Sequence, residues 1–141
     1  MAARSKARQR ALQILFEADQ RGCSVAEVLA DWIRHSHSDD RQPRVSEYTM
    51  QLAEGYAEHA ERIDELLATY TVGWPLDRMP VVDRNILRLS SYELIWEDET
   101  PDAVVLDEAV QLAKEFSTDD SPAFVNGLLG RLKDLKPTLK R

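Results

Sequence analysis

Apolar side chains recur at three- and four-residue spacing along almost the whole chain, and no alternating apolar/polar run survives beyond four positions. A half-buried strand needs a period of two, so the pattern predicts an all-α fold. The dipeptide Asn126-Gly127, which would suit a hairpin turn, sits inside a helical pattern and supports no strand pair.

Start and stop signals divide that pattern into about seven helices. Ala7, Ala11, Leu12, Ile14, Leu15 and Ala18 form the apolar stripe of a first helix over residues 5–20, with Gly22 as its stop. Ser24 and Glu27 make a capping box for a short second helix over residues 25–34, which yields to a polar loop, His35 to Arg44. From Val45 to Tyr70 the period continues over one long or two consecutive helices, with a bend expected between residues 55 and 62 beside Gly55.

Gly73, Pro75 and Pro80 bracket a connection whose Trp74, Leu76 and Met79 are apolar enough to fold back as plugs. That connection reads as a hinge within one 141-residue domain, with subdomains of roughly 1–75 and 76–141. Residues 81–96 are apolar enough to run through the centre of the domain. Pro101 opens a helix over residues 103–116, Ser121 and Pro122 supply an N-cap and first position for the last one, and Pro137 is expected to end it, leaving a basic tail.

Charge is segregated along the chain. Formal net charge is -7, yet residues 1–16 carry Arg4, Lys6, Arg8 and Arg10 with no acid, and residues 131–141 carry five cations against Asp134 alone. A cationic edge on an anionic body holds a polyanion locally while the rest repels it, which suits a nucleic-acid binder aided by a basic co-binder. On the first helix, Lys6, Gln9, Arg10 and Gln13 fall in one sector opposite the apolar stripe, with Phe16 at its edge. A basic and amide face bordered by an aromatic ring can grip phosphates and stack on a base.

Enzymatic and metal-binding classes lack a constellation. Cys23 is the single cysteine, so neither an internal disulfide nor a Cys-rich zinc site is expected, and a reducing cytoplasm suits it. His35, His37, Asp39 and Asp40 lie in the polar loop without the i, i+4 presentation of a zinc hydrolase, and no Glu-x-x-His pattern surrounds His59. No Gly-rich phosphate loop and no Gly-x-Ser-x-Gly occurs, so no catalytic residue, metal or cofactor is predicted. No signal peptide or membrane span is read, and the expected location is cytoplasmic.

Two acidic features have a structural explanation beside a binding one. Glu54, Glu58, Glu61 and Glu65 at helical spacing describe a solvated face as well as a dock for a basic partner. Asp119-Asp120 before Ser121 complements a helix dipole, and if that turn lies beside the first helix it can also accept hydrogen bonds from base amino groups.

Three blocks carry a family resemblance. They are Arg-x-x-x-Arg-x-x-Ala-x-Gln-x-Leu-Phe, ending at Phe16; Val82-Asp83-Arg84-x-Ile86-Leu87-Arg88-Leu89-x-x-Tyr92-Glu93-Leu94; and residues 106–130, LDEAVQLAKEFSTDDSPAFVNGLLG. In order and in overall length they closely resemble the NusB transcription antitermination factors. The resemblance implies two three-helix subdomains and a non-enzymatic protein that binds single-stranded boxA RNA of ribosomal RNA leader transcripts. It also implies ribosomal protein S10 and other Nus factors as partners on the RNA polymerase elongation complex. By motif position, Arg4, Lys6, Arg8, Arg10, Gln13 and Phe16 would face RNA, Asp120 and Phe124 would form a second wall, and Asp83 would face S10. Ser5 interrupts the basic cluster, and Phe16 stands where the family often has tyrosine, which keeps stacking and loses a phenolic hydrogen bond.

Two other classes remain open on the sequence. Similar helical domains precede RNA methyltransferase domains, but no cofactor-binding domain is read here, so in that role the chain would act beside a separate enzyme. A helical homodimer, formed through the loop around Trp74 and Met79 or through the second helix, is the other, and it would mask the RNA surface.

Overall fold

The structure is a computed structural model that describes residues 2–38, 44–71 and 74–139, with the side chains of residues 37 and 38 outside that description. Asp39, Asp40 and Pro43 of the polar loop, Gly73 of the connection, and Lys140 and Arg141 of the basic tail lie outside the described residues. Six α-helices follow one another: α1 (Ala3–Arg21), α2 (Val25–Ser38), α3 (Glu47–Tyr70), α4 (Val81–Trp96), α5 (Asp102–Phe116) and α6 (Ser121–Leu139), with a 3-10 turn, Leu76–Arg78, before α4. There is no strand among the described residues, and the expected all-α fold is the observed one. The near-seven count included two helices between residues 45 and 70, where α3 runs as one.

The chain divides into two compact units, Met1–Glu58 and His59–Arg141, so the first half of α3 belongs to one and the second half to the other. In the first unit α1 packs on α2 and buries Ala7, Ala11, Leu12, Ile14, Leu15 and Ala18, the stripe read from the sequence. Gly22 ends α1 in the left-handed region, φ 68°, while the Cys23 amide donates back to the Ala18 carbonyl across 3.1 Å. Only a residue without a Cβ takes that conformation cheaply. The Glu27 amide donates to Ser24 Oγ (3.1 Å), so the predicted cap starts α2.

α2 runs four residues beyond the predicted end at Arg34. His35 Nδ1 lies 2.7 Å from the Asp31 carbonyl and Ser36 Oγ donates to the Ile33 carbonyl (2.8 Å), so polar side chains that read as loop formers satisfy carbonyls near the helix end instead. Ser46 caps α3 through the Thr49 amide (3.2 Å), and Thr49 Oγ1 reaches the Ala7 carbonyl (3.3 Å), joining α3 to α1.

In the second unit α4, α5 and α6 pack on one another. α4 is buried over most of its length, with Asp83, Asn85, Ser90, Ser91 and Glu93 enclosed beside Ile86, Leu87, Leu89, Leu94 and Ile95, as expected of the helix read as central. Arg88 grips Asp64 of α3 through two parallel bonds of 3.0 and 3.1 Å, and Lys136 of α6 reaches Asp102 of α5 at 2.8 Å. Met79 is the buried plug of the connection, whereas Trp74 and Leu76 are half-buried.

Pro137 does not end α6, which continues to Leu139. A proline can remain helical in the last turn, where it removes one amide donor, and burial of Leu139 holds the turn in place. Ser121 likewise departs from its expected N-cap role. It is already helical, and its hydroxyl serves a buried carboxylate.

Candidate nucleic-acid interface

α1 begins in a way that helix energetics alone disfavours. Its N-cap, Ala2, makes no side-chain cap, no acid lies in the first turn, and Arg4 and Lys6 stand close to the positive end of the helix dipole. Cations there cost a few tenths of a kcal/mol each, about 0.3–1. The same start has uncapped amides flanked by positive charge, an arrangement that attracts an anion.

The four cations separate into distinct positions. Arg4 lies with its guanidinium 4.3 Å from the centre of the Tyr48 ring, and Arg8 at 5.6 Å from the same ring. Arg8 is only 4% exposed, so it packs inside the first unit and leaves Arg4 above it as the exposed member of the pair. Arg10, half-buried, lies 5.2 Å from the Trp32 ring and donates to the Arg44 carbonyl (3.1 Å). Lys6 is exposed, and Gln13 and Phe16 are exposed with it, Phe16 at 39%.

Lys6, Arg10, Gln13 and Phe16 therefore line one side of α1, joining ammonium, guanidinium, amide and an aromatic ring within about three turns. The acid that follows this face is occupied elsewhere. Glu17 accepts from Trp32 Nε1 (3.2 Å) and from Arg21 (2.9 Å), which also pairs with Asp31 at 3.3 Å. Those two carboxylates raise the Arg21 pKa further above its ordinary value.

The inward turn of Arg8 and the aromatic supports Tyr48 and Trp32 escaped the sequence reading. A signal for the first existed: Arg8 precedes Ala11, Leu12 and Leu15 at i+3, i+4 and i+7, the spacing of the buried stripe. Nothing local marks Tyr48 or Trp32 as cation platforms, since each is remote in sequence from the arginine it supports.

The remaining candidates belong to the second unit. Asp83 on α4 has no exposed surface. Its Oδ2 accepts from Ser121 Oγ (2.8 Å), its Oδ1 accepts from Ser117 Oγ, and the Thr118 amide donates to Ser121 Oγ (3.3 Å). The carboxylate thus faces the interior and pins the turn before α6, leaving Asp119 and Asp120 exposed. Any influence of Asp83 on a partner passes through that turn. Phe124, one helical turn into α6, is half-buried and meets Trp74 edge to face, centroids 4.7 Å apart and planes at 61°.

Among the described residues no group of three or more His, Cys, Asp or Glu could hold a metal ion, and no helix is long and apolar enough to cross a membrane.

Comparison with known proteins gives one consistent answer. Residues 5–134 match the model of the NusB family. The chain is 79% identical over 141 residues to the transcription antitermination protein NusB of Streptomyces avermitilis, covering 100% of this chain and 98% of that protein. Among solved structures it resembles NusB of T. maritima, with a TM-score of 0.82, 32% identity, and coverage of 94% of this chain and 92% of that one. It also resembles a chain in the crystal structure of the antitermination factors NusB and NusE in complex with dsRNA, with a TM-score of 0.76, 28% identity, and coverage of 93% and 96%.

Proposed function

The chain belongs to the NusB family, and from that premise we propose that it is a non-enzymatic transcription antitermination factor that binds single-stranded boxA RNA together with ribosomal protein S10. The observation that carries the reading is the outer side of α1, where Lys6, Gln13 and Phe16 are exposed together on a helix whose N-terminus is uncapped and flanked by cations. Lys6, Arg4 and Arg10 engage phosphates, Gln13 offers an amide to base edges, and Phe16 supplies a stacking plane. Arg8 supports this array from beneath through its packing on Tyr48.

In the second unit Asp120 and Phe124 also face RNA in this reading, with Asp83 holding the turn between Ser117 and Ser121 in shape for RNA and for S10. The crystal structure of NusB and NusE (S10) in complex with dsRNA supports RNA and S10 as partners for a chain of the same fold. The assembly acts on the RNA polymerase elongation complex with other Nus factors, which places it in the cytoplasm. A chain of net charge -7 with its positive charge concentrated at both ends repels RNA except at those cationic edges, so a basic partner such as S10 raises affinity as well as specificity.

Fluorescence anisotropy with a boxA-containing RNA and a scrambled control, each with and without S10, tests the proposal. Preference for boxA that grows with S10 is the expected result. Equal binding of both RNAs in all four conditions would overturn it.

A further inference from the structure

Two aromatic rings and a guanidinium line one side of α6 in the second unit. Trp74 meets Phe124 edge to face at 4.7 Å, and Arg131 lies 5.4 Å from the centre of the Tyr70 ring. Phe124 and Arg131 are seven residues apart, two helical turns, so they project from the same side of α6 about 10 Å from each other. Gly127 lies between them at i+3, exposed, and a Cβ built there would meet nothing within 4 Å.

We infer that Trp74 and Arg131 extend the RNA contact of Phe124 into a strip along α6, in which the Trp74–Phe124 pair stacks a base and Arg131, steadied by Tyr70, holds an adjoining phosphate. An edge-to-face pair leaves part of its ring surface outward, and both rings are half-buried, not enclosed. A ring and a cation at successive places on one helix side match the alternation of base and phosphate along a single strand. Charge favours this occupant. Residues 131–141 carry five cations against one acid on a chain of net charge -7, so this end attracts a polyanion that the body repels. Asp120, exposed one turn before Phe124, marks the end where base amino groups would be read.

The inference rests on the RNA-binding reading above, which already contains Phe124, and extends it to Trp74, Arg131 and Tyr70. The test compares Lys6→Ala on α1 with Arg131→Ala, Gly127→Leu and Trp74→Ala, using a boxA-containing single-stranded RNA with S10 present. Arg131→Ala is expected to lower the salt slope by roughly 0.7, one phosphate of a single strand. Trp74→Ala is expected to weaken binding roughly 5-fold or more, the loss of one stacked base. A Cβ at position 127 meets nothing within 4 Å, so Gly127→Leu is expected to keep the fold, checked by circular dichroism, and it should weaken RNA binding several-fold by covering the strip. Photocrosslinking of a 5-iodouridine-substituted boxA RNA to the unmodified chain, mapped by mass spectrometry, should label Trp74 or Tyr70, which keeps the inference testable if Trp74→Ala fails to fold.

Binding weakened by Lys6→Ala but unchanged by Arg131→Ala and Gly127→Leu, with no crosslink at residues 70 or 74, overturns the strip and leaves the proposed function standing. Absence of boxA binding by the unmodified chain, with and without S10, overturns both. If Gly127→Leu changes the sedimentation of the chain while RNA binding stays the same, the strip is a self-association surface and the inference fails.

Discussion

Ser121, the first residue of α6, donates its hydroxyl to Oδ2 of Asp83 across 2.8 Å, joining a helix start to a carboxylate that has no exposed surface. Ser117 donates to the other oxygen, so the two serines on either side of the exposed Asp119-Asp120 pair close on one acceptor. Removing it takes away the charged acceptor that both hydroxyls share, while Ser121 Oγ keeps its contacts with Ser117 and Thr118. Asp83→Ala is expected to destabilise the protein by about 2–3 kcal/mol and Ser121→Ala by about 1 kcal/mol, since a hydrogen bond to a charged group is worth more than a neutral one and Asp83 accepts two of them. Urea unfolding followed by circular dichroism checks this, and a loss below about 0.5 kcal/mol for Asp83→Ala would mean that the network contributes little.

Lys6 and Arg8 stand two positions apart and should respond oppositely. Lys6→Ala removes an exposed charge, so stability stays within about 0.5 kcal/mol while the salt slope of RNA binding falls by roughly 0.7. Arg8→Ala removes a side chain packed against Tyr48, and its main effect should be a loss of about 1–2 kcal/mol in stability. Paired denaturation and salt-titration curves separate the two, and an Arg8→Ala protein of full stability with a reduced slope would reverse the assignment.

Phe16 is 39% exposed, which is unusual for a phenylalanine on a helix that buries Ile14 and Leu15 beside it. Phe16→Ala should leave the melting temperature almost unchanged and weaken RNA binding by about 1–3 kcal/mol, the value of one stacked base. Phe16→Tyr should restore the affinity, because a phenol ring stacks as a phenyl ring does. A drop in melting temperature without a change in RNA affinity would place the ring in the core instead.

Gly22 and Gly127 make a matched pair for backbone effects. Gly22 has φ 68°, so Gly22→Ala should cost about 1 kcal/mol even though no atom lies near the added methyl. Gly127 lies within α6 with open space around it, so Gly127→Ala should stabilise by about 0.5–1 kcal/mol. Thermal unfolding of the two variants measures both signs, and the second doubles as a control for fold integrity in the RNA experiment.

Much of the molecule is legible without coordinates because its determinants are local. The buried stripe of α1, the Ser24 cap of α2, the stop at Gly22 and the buried course of α4 all follow from residues within a turn or two of one another. The end of α2 and the end of α6 read less well. His35 and Ser36 satisfy nearby carbonyls from within a helix, and Leu139 is held by burial beyond Pro137, so side-chain bonding and packing outweigh the usual preferences of those residues.

Residues close together in the chain set the helices, the segregation of positive charge and the face of α1 that carries Lys6, Gln13 and Phe16, since periodicity fixes which residues share a side. Which charges remain available follows from long-range packing. Arg8 is turned inward by Tyr48, forty residues away, and Asp83 is enclosed by Ser117 and Ser121, more than thirty residues away. A charge is tolerated inside only where distant partners meet it, and the positions of those partners are set by packing that no local pattern encodes.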